Sequence, residues 1–278
     1  MYGVQVDQLA AFLGLTARQA RALTTRWAAR GLAETAVLSP GQPWTWLTRA
    51  GLQACGVRYS AAPPALPRLA HIRAVTAVRL ALEGTAGYSD SAAYWRSERR
   101  LRARLGGRLG AREHLPDAEV HWPDAAAPAW AGECWAIEVE LTPKTVSRTT
   151  AIMRELLART ADYGSPAAEA RTAGPPRHAR VVYVCSPAAL GTVRRATEQL
   201  GRLADRVEIR GIPAGASLPA PRTAQPSGPR TAPRPAPPSG PQPAPPSGPC
   251  PVTPSGPRPA LPSGPCPITA RRPAGAGA

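Results

Sequence analysis

The sequence has little lysine, few cysteines and no long apolar run. Lys144 is its only lysine, although 34 residues are basic, and its five cysteines are scattered along the chain. An odd number of unclustered cysteines is typical of reduced cytosolic thiols and not of a disulfide framework or a zinc site. No stretch of about 18 apolar residues is present, so no membrane span is expected. The first residues lack the basic and then apolar pattern of a secretion signal, and we predict a cytoplasmic protein.

Several catalytic motifs are also absent. The chain has no GxxxxGK[ST] loop for nucleoside triphosphates, no GxSxG nucleophile and no pair of CxxC motifs. No closely spaced histidine pair lies near a tyrosine, as the nucleophile site of a single-strand relaxase would require. These absences exclude the P-loop NTPases, the α/β-hydrolases and zinc-knuckle proteins as classes.

The charge of the chain favours a polyanionic partner. The formal net charge is +16, and six arginines without any acid lie after residue 220, which leaves +10 on the rest. A globular region this basic most often binds nucleic acid. Arginine usage that reflects a GC-rich genome, with charge serving only solubility, is the alternative explanation.

Residues 1–58 carry the spacing of two helices separated by a short turn. A first helix is expected from Val4 to Leu13, because its apolar residues follow a helical period, which a Gly-Leu pair then interrupts. Thr16 is a favourable N-cap for a second helix that runs to about Arg30. A helix, a short turn and a helix in this order predict a helix-turn-helix.

The outer face of the second helix is basic, and the helix contains no acid. A recognition helix needs arginine for guanine edges and phosphates, and threonine for phosphates or thymine methyl groups. We therefore predict that this helix enters the major groove of double-stranded DNA. The predicted DNA-binding residues are Arg18, Gln19, Arg21, Thr25, Arg26 and Arg30.

A strand hairpin is expected after the second helix. Its strands are Leu32 to Leu38 and Trp44 to Leu47, and Thr48 caps a short helix that follows them. This order resembles the winged helix-turn-helix family, which implies a DNA-binding domain over residues 1–58. Winged helices also mediate protein contacts, so a protein-binding module is the alternative. Three prolines make residues 59–67 a semi-rigid linker.

Residues 68–215 alternate predicted helices and strands, which favours an α/β domain with a mixed sheet. A helix is expected from Arg68 to Glu83. The nearly continuous apolar run from Ala179 to Cys185 predicts a strand that is buried on both faces. A helix from Pro187 to Asp205 and a short last strand from Val207 to Ile212 are expected to follow.

A further strand is expected from Leu115 to Trp122, where apolar residues alternate with Asp117, Glu119 and His121. Glu119 and His121 are interpreted as solvent-exposed or supporting groups beside Asp117. His71 lies near the apolar face of the first helix of this domain. A lone histidine in such a place is more often a core residue than a ligand, so we interpret it as a core residue.

The segment Cys134 to Leu141 has the strongest chemical signal in the chain. Its apolar residues alternate with Glu138 and Glu140, so both carboxylates project from one face of a strand, with Cβ atoms roughly 7 Å apart. Two neighbouring carboxylates repel each other and are costly to bury unpaired. A divalent cation or a basic partner would relieve that cost. A helix over residues 143–162, capped by the preceding threonine, is expected next, with Lys144 in its first turn.

Pro116-Asp117 followed by Glu138-x-Glu140 on the next strand resembles the PD-(D/E)xK nuclease core. The resemblance implies a Mg²⁺ site formed by acids of two adjacent strands, and a lysine two positions on that helps to activate water. Glu140 occupies that lysine position here, and Lys144 lies a little past it. Glu98 resembles the helical acid that many members use as an extra ligand. The implied catalytic residues are Asp117, Glu138, Glu140 and Lys144, and the implied metal ligands are Asp117, Glu138 and Glu98.

A wider set of segments, over about residues 1–210, resembles the replication-relaxation family of actinobacterial plasmids and mobile elements. The name of that family implies plasmid replication or DNA processing, and many members look like DNA-binding regulators. The matching segments are Trp46 to Gly51, the helix with His71, Trp95 to Arg99, Pro116-Asp117, Glu138 to Lys144 and a Val-Tyr-Val strand.

The last region, residues 216–278, repeats the motif Pro-Ser-Gly-Pro at positions 226, 238, 246, 254 and 262. Repeats of this kind cannot bury a core, so the region is expected to be disordered and partly polyproline II. We interpret it as a spacer, with a proline-rich ligand segment as the alternative.

Together these features predict an α/β (α+β) protein with an N-terminal winged helix-turn-helix, a mixed-sheet PD-(D/E)xK-like domain and a disordered proline-rich tail. The predicted function is a DNA-binding regulator, or a replication or DNA-processing accessory factor, of a plasmid or mobile element. The partner is double-stranded DNA, and a homodimer is left open. The alternative is a Mg²⁺-dependent endonuclease or nickase that uses Asp117, Glu138 and Glu140. A nuclease fold that no longer cleaves is favoured over an intact one, because the lysine is displaced.

Overall fold

A computed structural model of the chain shows a mixed α/β architecture with two sheets. The predicted tail lies outside the residues that the structure describes, and so do residues 160–162 of a predicted helix. None of the helices in the described part of the chain has the length and apolar composition that crossing a membrane requires. The described residues are 3–85, 88, 93–105, 113–123, 130–159 and 177–215.

The N-terminal part is a small antiparallel sheet with three helices. The sheet has the strand order β1-β3-β2, and the hairpin β2–β3 pairs Ala33 with Leu47 and Ala36 with Trp44. Buried Val6, Ala10 and Ala20 pack the first two helices together. The elements are β1 (Val4–Gln5), α1 (Val6–Leu13), α2 (Ala17–Ala29), β2 (Ala33–Ala36), β3 (Trp44–Leu47) and α3 (Arg49–Ala54).

Local signals set most of these boundaries. Thr16 and Gln19 form a capping box at the start of α2, in which each side chain binds the backbone N–H of the other residue. Gly14 ends α1 in the left-handed region at φ 64°, where glycine carries no Cβ penalty. The helix predicted from Val4 begins two residues later, because Val4 and Gln5 pair with β3.

The second part is a five-stranded mixed sheet with the order β4-β5-β6-β7-β8. The first three strands are antiparallel, whereas β6, β7 and β8 run parallel. A 3₁₀ turn at Leu66–Arg68, at the end of the predicted linker, leads into this part. Its elements are α4 (Leu69–Glu83), β4 (Tyr94–Ser97), α5 (Glu98–Leu105), β5 (Ala118–His121), β6 (Cys134–Glu140), α6 (Val146–Ala158), β7 (Arg180–Cys185), α7 (Pro187–Glu198) and β8 (Val207–Gly211).

Helices cover both faces of this sheet. On one face, α4 packs on Trp135, Ile137 and Val139 of β6 and on apolar residues of the neighbouring strands. On the other face, α6 and α7 pack around Ala136 of β6 and Tyr183 of β7. The period of two in β6 therefore places its apolar side chains under α4 and its two glutamates on the side of α6 and α7.

Two further predicted helix boundaries were wrong. The helix predicted from Pro143 begins at Val146, because Thr145 is the residue whose side chain accepts the cap hydrogen bond, from the N–H of Arg148. Lys144 therefore precedes α6 and is not in its first turn. The helix predicted to run to Asp205 ends at Glu198, and a 3₁₀ turn begins at Gly201, whose φ of 58° breaks the α-helical path.

Arg73 of α4 joins the two parts of the chain. Its guanidinium is 8% exposed, lies 2.8 Å from Oδ2 of Asp7 and also bonds the side chain of Gln5. The side chain of Gln8 donates to the backbone carbonyl of Arg73 at 2.8 Å. Three polar residues of β1 and α1 thus satisfy one buried arginine, which fixes α4 against the N-terminal sheet.

Candidate functional site

The predicted DNA-binding residues are all exposed. Arg18, Thr25 and Arg26 project from α2, and Arg30 follows its last turn. Arg21 donates to Oε1 of Gln42 in the loop of the β2–β3 hairpin, which ties the helix to the hairpin. Gln19 also lies at the surface, but its carboxamide is engaged in the capping box with Thr16.

A cavity of about 770 Å³ opens at the edge of the second sheet where β6 ends and β5 begins. All five residues predicted from the nuclease resemblance line this one cavity, together with two histidines and three arginines. The charged and histidine side chains of the lining include Arg68, His71, Glu98, Arg102, His114, Asp117, Glu138, Glu140, Lys144 and Arg148.

Asp117 and Glu138 lie next to each other on adjacent strands. The antiparallel register pairs Ala118 with Ile137, and its continuation places Asp117 opposite Glu138. Oδ2 of Asp117 accepts a hydrogen bond from the backbone N–H of Val139 at 2.9 Å. Asp117, just before β5, and Glu138 of β6 therefore line the same cavity from neighbouring segments.

Each of these two acids has a histidine partner. His71 Nε2 lies 2.7 Å from Oδ1 of Asp117, and His114 Nε2 lies 2.8 Å from Oε1 of Glu138. Burial alone lowers the pKa of both histidines, but the hydrogen bond and charge of the adjoining carboxylate outweigh it, so each pKa is raised. The prediction that His71 is a core residue was wrong, because its ring reaches out from α4 into the cavity.

The environment of Glu138 disfavours a negative charge. Burial is the largest cause, the nearby charge of Asp117 adds to it, and His114 only partly offsets them, so the pKa of Glu138 rises to about 7. The side chain of Glu138 is 5% exposed. A positive charge brought to this pair of acids would be favourable, since it offsets the repulsion between Glu138 and Asp117 that contributes to this raised pKa.

Glu140 forms an ion pair with Lys144. The side chain of Glu140 is 7% exposed and that of Lys144 is 40% exposed, so the pair spans from the buried strand to the mouth of the cavity. Glu140 occupies the position where the nuclease pattern has lysine, and Lys144 places an ammonium group beside that carboxylate from four residues on.

The rim of the cavity is basic. Glu98 lies 3.1 Å from Arg68 and 2.8 Å from Arg102, so its charge is already compensated by two guanidinium groups. Arg148, at the start of α6, lines the same opening. Glu98 thus belongs to the rim, whereas Asp117 and Glu138 lie at the base.

The backbone of His114 is held from α6. Its N–H donates to Oε1 of Glu155 at 2.8 Å, and its carbonyl accepts from the guanidinium of Arg159. Arg159 and Glu155 also form an ion pair at 2.8 Å. This arrangement fixes the segment that presents His114 to Glu138.

A second polar cluster surrounds Glu119 on the same face of the sheet. Glu119, Cys134 and His178 offer donor atoms within 4.8 Å of one another, a spacing that suits a cation. However, the carboxylate of Glu119 already bonds Arg96 at 3.2 Å and Arg177 at 2.6 Å. Two guanidinium groups compensate its charge, so we interpret the cluster as a buried ion-pair network.

The prediction that Glu119 is exposed or supports Asp117 was wrong. Its side chain is 2% exposed, and His121 and His178 each lie 3.0 Å from one of its oxygens. Burial raises the pKa of Glu119, but hydrogen bonds from His121, His178 and Arg177 outweigh it and hold the pKa far below its usual range.

No protein-family model, curated protein or solved structure matches the chain.

The sequence pattern missed the two histidines of the cavity. All four histidines of the chain contact a carboxylate of β6 or of the β5 segment: His71 with Asp117, His114 with Glu138, and His121 and His178 with Glu119. The available signal in the sequence was the scarcity of histidine, since the 278 residues contain only four. In the structure, each of the four lies beside a carboxylate.

Proposed function

We propose that the protein binds double-stranded DNA through α2 and the β2–β3 hairpin, which together act as a winged helix-turn-helix. The observation that carries this proposal is the exposed face of α2, which presents Arg18, Thr25 and Arg26 without an acid in the helix. Arginine bonds phosphates and guanine edges, and an adjoining hairpin suits contact with a groove or the backbone. The net charge of +16 supports a polyanionic partner.

The role that fits this proposal is a regulator, or an accessory factor in replication or DNA processing, of a plasmid or mobile element. The resemblance of the ordered segments to the replication-relaxation family supports that context. The tethering of α2 to the hairpin by Arg21 and Gln42 supports one rigid reading surface.

The test is the binding of a labelled duplex by the full chain, with Arg18→Ala/Arg21→Ala as the variant. We expect wild type to retain the duplex, with an affinity that falls steeply as salt rises, and the variant to lose it. Gln42→Ala is the control for the Arg21 hydrogen bond, and Arg194→Ala/Arg195→Ala, on exposed positions of α7, controls for net charge. Binding that ignores salt, or survives in the α2 variant, contradicts the proposal.

A second function, a Mg²⁺-dependent DNA endonuclease or nickase, is favoured by the contents of the cavity. Asp117 and Glu138 converge at its base, Glu140 and Lys144 lie beside them, and the rim carries Arg68, Arg102 and Arg148. A basic opening over an acidic base is the arrangement that a phosphodiester backbone and a hard cation require together.

The residues at the base fit such an ion. Asp117 and Glu138 supply hard oxygen donors from adjacent segments at the base of one cavity. Bound there, Mg²⁺ would act as a Lewis acid on the phosphodiester and lower the pKa of its water. The protein's own residues have other tasks: His71 and His114 orient the two carboxylates, while Lys144 and Arg148 face the phosphate at the opening.

Supercoiled plasmid with Mg²⁺ or Mn²⁺ tests this second function. Nicking by wild type is expected to disappear in Asp117→Asn and in Glu138→Gln, whereas the exposed change Asp205→Asn should preserve it. Equal nicking by all four proteins would identify a contaminant, and no nicking by any of them would leave a DNA-binding protein with an inactive nuclease-type cavity.

A further inference from the structure

Helix α5 carries an excess of positive charge, and most of it has no part in the proposed contacts of α2 or of the cavity. Its eight residues include four arginines and one acid, Glu98. Leu101 is 1% exposed, so α5 buries this side chain. Arg100, Arg102 and Arg104 are exposed.

Two of these arginines have no partner among the residues that the structure describes. Arg102 pairs with Glu98, and Arg99 lies over the ring of Tyr59 at 4.6 Å. Arg100 and Arg104, by contrast, form no hydrogen bond or ion pair within the described ranges. They are four residues apart, so they are neighbours on the helix surface and repel each other. A polyanion removes that repulsion.

The contacts of α5 reach towards both the N-terminal part and the cavity. At one end of its contacts, Arg99 lies on Tyr59 and donates to the carbonyl of Ser60, in the segment that follows the N-terminal part. At the other, Glu98 and Arg102 join Arg68 at the rim of the cavity. The helix therefore touches both the segment leaving the proposed DNA-reading part and the mouth of the candidate site.

We propose that the exposed arginines of α5 bind the phosphodiester backbone of DNA along the path from the N-terminal part to the cavity, with Arg100 and Arg104 on one side of the helix and Arg102 at the cavity rim. This inference rests on the proposed DNA binding and adds a second, sequence-independent contact to it. A guanidinium group can form two parallel hydrogen bonds with phosphate oxygens and makes no contact with a base. This surface therefore contributes equally to the affinity for any duplex.

The variant that tests this surface is Arg100→Gln/Arg104→Gln, which removes only the arginines without a described partner. Its matched control is Arg194→Gln/Arg195→Gln on α7, which lowers the net charge equally on another exposed surface. Duplex affinity is measured over a range of salt for wild type and both variants, with two labelled duplexes of equal length and unrelated sequence. Circular dichroism confirms that each variant is folded.

Each phosphate contact contributes about 0.9 to the slope of log affinity against log salt, so the α5 variant should show a slope shallower by about 1 to 2. The loss should be the same for both duplexes, and the α7 control should match wild type. An α5 variant that has the affinity and slope of the control overturns the inference, even while binding by α2 stands. If wild type itself binds no duplex, the proposed function fails first and the inference with it.

Discussion

The guanidinium of Arg73 lies 2.8 Å from the carboxylate of Asp7, across the junction between α4 and α1. Arg73 is buried in the middle of α4, whereas Asp7 is in the first turn of α1 and remains 37% exposed. Two residues before Arg73, the same helix presents His71 to Asp117. A single helix therefore connects the N-terminal sheet to the base of the cavity.

Asp7→Asn is expected to lower the free energy of unfolding at neutral pH by on the order of 1 kcal/mol, because the pair is partly solvent-exposed. Burial raises the pKa of Asp7, but the hydrogen bond and charge of Arg73 outweigh it and lower the pKa below its ordinary 3.8. The contribution of Asp7 is therefore complete above that value and is lost as the pH falls through the lower folded value.

Urea unfolding of wild type and Asp7→Asn at pH 7 and below pH 4 measures this dependence. The difference between them should shrink as the pH falls, while Asp205→Asn, an exposed control, should show none at either pH. A difference that stays constant with pH would show that the charge of Asp7 is not what holds Arg73.

Glu119→Gln is expected to destabilise the fold by about 3 kcal/mol, because it removes the charge that Arg96 and Arg177 share in a buried position. The folded pKa of Glu119 is strongly lowered, so its stabilisation is present at neutral pH and decreases with acid below the usual carboxylate range. Thermal unfolding compared with the exposed change Glu198→Gln measures this effect. A wild-type melting temperature for Glu119→Gln would contradict the ion-pair interpretation.

Gly51→Ala is expected to destabilise the N-terminal part by roughly 2 kcal/mol, because a Cβ at this position would collide with the backbone carbonyl oxygen of Leu32. That oxygen accepts the N–H of Thr48, which links β2 to the start of α3. The control is Gly191→Ala in α7, where a Cβ meets no atom within 4 Å and should stabilise by about 0.5 to 1 kcal/mol. Denaturant unfolding of both variants measures the contrast, and equal effects would disprove it.

The cavity is expected to bind Mn²⁺ in the absence of DNA, through Asp117 and Glu138. Calorimetric titration should give measurable binding for wild type. Asp117→Asn and Glu138→Gln should each weaken the affinity by tenfold or more, which is a loss of about 1.4 kcal/mol or more of binding free energy. Asp205→Asn should bind as wild type does. Equal titration curves for wild type and both cavity variants would place the ion elsewhere and remove the basis for cleavage.

The acidic part of the cavity could be predicted because it depends on local patterns. The period of two in β6 puts Glu138 and Glu140 on one face, and a strand just before it brings Asp117 alongside. Caps at Thr16, Thr48 and Ser186 act over three residues and are visible in the sequence for the same reason. These features need only knowledge of neighbours along the chain or in the next strand.

The remaining features depend on contacts between distant segments. His71 contacts Asp117, which lies 46 residues later in the chain. The periodicity of a helix does not reveal whether a histidine on it faces an acid of another segment. Burial of Glu119 depends in part on Arg177 and His178, which lie 58 and 59 residues later and bring their N–H groups to it. The start of α6 was missed since two threonines competed as caps, and the alternation of residues does not distinguish between them.

Under the proposed DNA binding, the buried arginine of α4 also restricts how the target can change over evolution. If the whole N-terminal part were exchanged for that of another protein, the new part would need equivalents of Gln5 and Asp7. Without them, the buried guanidinium of Arg73 would lose the carboxylate and the amide that it bonds. New target specificity is therefore expected to arise by substitution at outward positions of α2, such as Arg18 and Thr25, which no packing constrains.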